Sequence, residues 1–249
     1  MDDRHDETAG SEPSSLTPRQ TSFTVIGRTS ADLNKVRQRR SLPHSDYQPT
    51  GIYVTKGEHL ELSYYQDTAV KISAVIGVPE LNTPIVIDLN VGFNAIDVPE
   101  SGLLSFIYHE AGKSVLITIK GSFSDVPSFI LGETSNAQWW HQMDQLQSAP
   151  VVMLTSERAI IVVRYESARI YITAPEKLMA YYDQVIRSQD DISAVLGGGE
   201  TEWAIDPNKH FYIEADRLYM FATDGHMGLR GAAALSYLLS GNTAVGWGP

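Results

Sequence analysis

A chain without cysteine must draw any chemistry from its histidines, carboxylates, hydroxyls and aromatic rings. The seven histidines are His5, His44, His59, His109, His141, His210 and His226, and no two lie three to five residues apart. No pair therefore has the spacing that sets two imidazoles on one helical face for zinc. A Gly-x-Ser-x-Gly nucleophile elbow and a Gly-x-x-x-x-Gly-Lys phosphate loop are both absent. Gly197-Gly198-Gly199, ahead of Glu200, lacks the lysine and preceding strand of a nucleotide site and reads as a loop. The pairs Asp190-Asp191 and Glu200/Glu202 are ordinary in an acidic chain, since a glycosidase needs a carboxylate separation that sequence spacing does not set. Trp139, Trp140, Trp203 and Trp247 have apolar faces that could stack on sugar rings, but core packing is the simpler reading. Trp247 is the exception, because it stands between Gly246 and Gly248 in a stretch too rich in glycine for ordinary core.

Composition narrows the field further. Nineteen basic against thirty acidic side chains give a net charge of -11, which argues against nucleic acid or an anionic membrane surface as a general partner. The lack of cysteine excludes disulfides, thiol catalysis, iron-sulfur clusters and cysteine-held zinc. No apolar run approaches the length of a transmembrane segment, and the opening residues lack the layout of an export signal. With 249 residues and 43% hydrophobic side chains, the chain has material for one large domain or two modest ones.

Positioning any site falls to the following elements. Residues 1–20 are polar and proline-rich and predict a flexible arm. Lys35, Arg37, Arg39 and Arg40 read as a solvated helix face ending before Pro43. From Gly51 to Gly121, short alternating runs separated by turns predict a β-sandwich. Its strands include 59–64, where Leu60, Leu62 and Tyr64 face inward, together with 70–72 and 85–89. Segments 103–108 and 115–119 predict a hairpin turning at Gly112. Beyond Pro127, Trp139 to His141 falls in a helix or loop, and strands are expected at 158–163, 169–172 and 210–213. A helix entered through a Thr173/Glu176 capping box and Pro175 carries Leu178, Tyr181, Tyr182, Val185 and Ile186 at helical spacing. A buried helix is expected over 229–239, stopped by Gly241.

Four stretches in order carry a family resemblance. They are Thr50-Gly51-Ile52-Tyr53-Val54 with Gly57-Glu58; Ala149-Pro150 through Ile160 to Val163; Ala174-Pro175-Glu176-Lys177-Leu178; and Asp216 to Pro249, closing on Gly246-Trp247-Gly248-Pro249. Over residues 45–249 the sequence resembles the front half of the enhancin-like zinc metallopeptidases, the viral enhancins and their bacterial mucin-cleaving relatives. In that family the Gly-Trp-Gly-Pro segment runs into Trp-His-Glu-x-x-His, whose histidines hold zinc and whose glutamate activates water.

The resemblance implies an α+β chain: the flexible arm at 1–20, a β-sandwich domain at 21–125, and at 126–249 the mixed α/β start of a metallopeptidase catalytic domain, truncated before the zinc helix. It implies zinc as cofactor of the full-length protein, none on this chain, and no catalytic residue or metal ligand within it. Asp224, His226 and Trp247 are then expected to line the cleft for a glycoprotein or glycan substrate. The family's extracellular or cell-surface setting is implied too, although no export signal is visible. The competing reading is a non-catalytic sandwich binding glycans or a protein partner.

Overall fold

The computed structural model describes residues 18–66, 70–192, 205–216 and 220–240. It is a mixed α/β fold in which antiparallel sheets predominate. The first half runs β1 (Arg19–Ile26), α1 (Ala31–Arg37), β2 (Gln48–Val54), β3 (His59–Tyr64), β4 (Ile72–Ile76), β5 (Ile85–Leu89), β6 (Gly92–Asp97), β7 (Gly102–Tyr108), β8 (Ser114–Gly121) and β9 (Ser124–Asp125). These strands make a four-stranded sheet, β1-β8-β3-β6, and a five-stranded sheet, β5-β4-β7-β2-β9. Leu60, Leu62 and Tyr64 of β3 point inward as their alternation requires, and meet Ile72, Ala74 and Ile76 of β4 and Phe106 of β7 in one core between the sheets.

Two expectations fail in this half. Arg19 and Gln20 are not part of a free arm: they begin β1, which pairs along its length with β8. Segments 103–108 and 115–119 do not form a hairpin, because β7 lies in one sheet and β8 in the other. The reason is that both edges of β7 are taken, by β2 and by β4. Its two faces are also occupied: Leu104 and Phe106 enter the core between the sheets, while Leu103 joins the core of the second half. Gly112 does adopt the positive φ of a turn, at 79°, but the turn is a corner between sheets. The end of β1 closes that corner, the Gly27 amide donating to Lys113 O at 2.8 Å and the Arg28 amide to Tyr108 O at 3.0 Å.

The second half comprises β10 (Ser128–Ile130), α2 (Asn136–Gln145), β11 (Val151–Thr155), β12 (Ala159–Arg164), α3 (Tyr165–Tyr171), α4 (Pro175–Ile192), β13 (His210–Glu214), β14 (Met220–Thr223), β15 (His226–Leu229) and α5 (Ala232–Ser240). Its sheet order is β10-β11-β12-β13-β15-β14, mixing parallel and antiparallel pairs. β11 and β12 are apolar almost throughout because both faces are covered. Trp139 is fully buried edge-on against Phe129, in the core shared with the helices. Gly51 joins the halves: its φ of 79° sits at a register shift in β2, and a Cβ there would lie 2.8 Å from Ser128 Oγ of β10.

Residues 169–172, expected as a strand, instead belong to the helical segment of α3 and its cap. Tyr165, Ala168 and Ile172 are buried at helical spacing while Ile170 faces outward. The first turn of α4 is held from α2, the Glu176 amide donating to Asn136 Oδ1 at 3.1 Å, where a cap from Thr173 was expected. Leu229 ends β15, so α5 starts later than the apolar run suggested. Gly197 to Gly199, Glu200, Glu202, Trp203, Gly241 and Trp247 lie outside the described residues.

Candidate functional site

Where the chain between α1 and β2 crosses the starts of β13 and β15, two hollows adjoin. One, of about 310 Å³, is lined by Arg40, His44, His210, Phe211, Thr223 and His226. The other, of about 210 Å³, takes in His44, Asp46, Tyr47, Asp224 and His226. The β14–β15 turn forms their common wall, with Gly225 at φ 82° making the tight reversal from Thr223 to His226.

A buried ionic seam supports the larger hollow. Asp206 accepts from Arg40, from Asn34 Nδ2 at 2.9 Å and from its near neighbour, the Asn208 amide, at 2.9 Å. His44 Nδ1 lies 3.2 Å from both Asp206 Oδ2 and Asn208 O. Burial by itself would raise the Asp206 pKa, but the hydrogen bonds from His44 and Asn208 and the charges nearby outweigh it, and the carboxyl titrates below its ordinary range. The rings of His44 and His210 approach to 4.0 Å between centroids. Burial, helped by the adjacent His44, Arg158 and Arg40, pushes His210 down to about 3, so it is neutral at physiological pH. Lys209 is lowered to about 8, chiefly by burial, and donates to Ser156 O at 2.5 Å.

The expected site residues fare differently. His226 is nearly buried between the two hollows; its Nε2 lies 3.5 Å from Glu80 Oε1, and its ring meets Phe221 edge-on at 6.0 Å. Asp224 stands at the rim with its carboxylate well exposed, 3.9 Å from Lys35 Nζ. The two are thus brought together, while Trp247 is outside the described residues. Arg40, read as a solvated residue, instead reaches the buried Asp206. Sequence reasoning missed Arg40, His44, Asp206 and His210 as one group, since Arg40 and Asp206 are 166 positions apart and share no local pattern.

Chemically, this arrangement offers imidazole and guanidinium groups beside an apolar wall, suited to binding and orienting a polar ligand. Among the described residues no group of three histidine, cysteine or carboxylate side chains is placed to hold a metal ion.

Residues 122–249 match the family Peptidase M60, enhancin and enhancin-like. The chain belongs to that family. No curated protein matches it. Among solved structures it is similar to a conserved protein of unknown function from Bacillus anthracis str. Ames, at 20% identity and a TM-score of 0.84, covering 91% of this chain and 48% of that one. It is also similar to the M60 catalytic domain of ZmpC from Clostridium perfringens, solved in complex with the sialyl T antigen, at 13% identity and a TM-score of 0.75, covering 84% and 48%. A metallopeptidase from Bacteroides thetaiotaomicron matches at 18% identity and a TM-score of 0.74, covering 88% and 39%. At these identities the likeness establishes the M60 catalytic-domain fold. The chain spans half or less of the length of these structures. Among the described residues no helix is long and apolar enough to cross a membrane.

Proposed function

We propose that this chain forms the amino-terminal part of a zinc metallopeptidase that cleaves mucin-type glycoproteins outside the cell or at its surface. The observation carrying the reading is the M60 family match over residues 122–249. In this account residues 21–125 act as a sandwich domain, and 126–249 supply the front of the catalytic domain. The start of the family match at residue 122 supports that division.

Hydrolysis by such an enzyme needs a metal to acidify its water and a carboxylate to take the proton. The sequence has one His-Glu pair, His109-Glu110, and Lys113 stands where His-Glu-x-x-His requires the second histidine. We therefore assign the zinc motif to sequence following Pro249 and expect no peptidase activity from the 249 residues alone. Asp224, His226 and Trp247 are assigned to the substrate cleft. The position of His226 between the two hollows, with Asp224 at the rim, supports the first two assignments.

The test compares this chain with a version extended through the following His-Glu-x-x-His, each incubated with mucin and zinc. Cleavage by the extended protein alone is expected, with His226→Ala in that protein raising KM several-fold. Zinc-dependent cleavage by the 249-residue chain would overturn the proposal, as would the absence of such a motif downstream.

A further inference from the structure

Among the described residues, the outer face of the four-stranded sheet carries a group of exposed apolar side chains. In β1 and β8 the inward residues are Val25, Val115, Ile117 and Ile119, which turns Ile26 and Leu116 to the outside. Phe93 of β6 is likewise exposed. Tyr65 follows β3 directly; Tyr64 before it is buried, and Gln66 after it reaches back to Ser114 O at 3.2 Å. Tyr65 is 78% exposed, Phe93 and Leu116 each 60%, Ile26 51% and Val91 42%.

Register brings these side chains together. Phe93 is opposite Ser63, Ser63 opposite Thr118, and Thr118 opposite Ser22, which makes one row across the sheet. Leu116 lies opposite Thr24, two residues along β8 from Thr118. Continuing the β3 register one residue beyond its last pair with β6 and two beyond its last pair with β8 places Tyr65 between Val91 and Leu116, diagonal to Phe93. Diagonal neighbours of this kind are about 7–8 Å apart, within reach of aromatic rings.

We infer that this face is a docking platform for a neutral carbohydrate. Two rings on one sheet face offer planes on which the C–H face of a sugar can lie, and Ser22, Thr24, Ser63 and Thr118 put hydroxyls on the same face to bond its hydroxyls. The extent of the surface favours that occupant: five exposed apolar side chains fall well short of the roughly 20–30 residues per partner of a stable protein interface. Charge points the same way. Glu61 and Lys120 on this face neutralise one another at 3.0 Å, and the chain's net charge of -11 disfavours an anionic lipid surface. The inference stands whether or not the chain forms part of a peptidase.

The test is retention of the 249-residue chain, without added zinc, on immobilised gastric mucin and on the same mucin stripped of its O-glycans. Retention on the glycosylated form only is expected, with the Tyr65→Ala/Phe93→Ala double variant at least tenfold weaker and its Tm close to that of the parent. Sedimentation should find both proteins monomeric. The inference is overturned by equal binding of the double variant, by binding that survives glycan removal, by no binding, or by a dimer that the double substitution dissolves. Because neither zinc nor cleavage enters the assay, loss of the peptidase reading would leave these outcomes unchanged.

Discussion

The two halves of the molecule are held by different means. In the two-sheet half, strands close in sequence bury alternate apolar side chains between facing sheets, and its polar pairs, such as His59 with Asp97 and Lys120 with Glu61, sit at the surface. The six-stranded half has its own apolar core, but the approach of residues 28–46 to β13 is fixed by buried polar groups around Asp206. A surface pair is nearly free to exchange with water, whereas a buried carboxylate with several donors is costly to disturb from either side. The site-bearing half is thus the one whose geometry depends on partners far apart in the chain.

Breaking that dependence should give the largest effect. Asp206→Ala leaves Arg40 and the Asn208 amide without this acceptor and removes the carboxylate beside His44, and is expected to cost about 3–5 kcal/mol in urea unfolding. A cost no greater than that of a surface pair would erase the distinction between the halves. Next comes the corner closed by β1. A Cβ on Gly27 would fall 1.9 Å from Glu110 O, so Gly27→Ala should cost about 3 kcal/mol while preserving the hollows beside His226. Thermal unfolding with the His226 ring resonances as a local reporter checks both parts.

Acid should then act on the seam. His210 titrates near 3 in the folded protein against 6.5 for the free side chain, so the unfolded state takes up the proton first as pH falls. Stability from keeping this ring neutral is full above pH 6.5 and declines below it, by about 2 kcal/mol at pH 5. Asp206, whose folded pKa is lowered, loses its contribution only as pH drops below 3.8, so it does not enter this window. The difference in unfolding free energy between the parent and His210→Gln, followed from pH 7 to 5, should shrink accordingly. The smallest effect is expected from His59→Ala, which removes an exposed pair with Asp97 and should change stability by less than about 1 kcal/mol.

What could be read from the sequence divides along similar lines. The strands read at 59–64, 85–89 and 210–213 follow from alternation or apolar runs, and the helix from Pro175 follows from its spacing, because each signal is local. The β7–β8 corner was hidden because alternation gives a strand but not its partner, and β7 has both edges occupied by strands from elsewhere. The segment at 169–172 misled through its isoleucines, one of which is exposed on a helix. His226 was named as a cleft candidate only through the family resemblance of the closing segment, and it lines both hollows; the His44, Asp206 and His210 group had no such signal, since only the folded chain brings these residues together.

The chain has the M60 catalytic-domain fold; that it also carries part of the substrate cleft while the metal machinery comes from elsewhere in the polypeptide is the central proposal. Calorimetric titration of the 249-residue chain with zinc, at pH 7 and without chelating buffer, tests it most directly. The account expects no saturable site tighter than about 10 μM, since a zinc centre needs three protein ligands in place. A one-to-one site of submicromolar affinity, with zinc-dependent mucin cleavage, would contradict it.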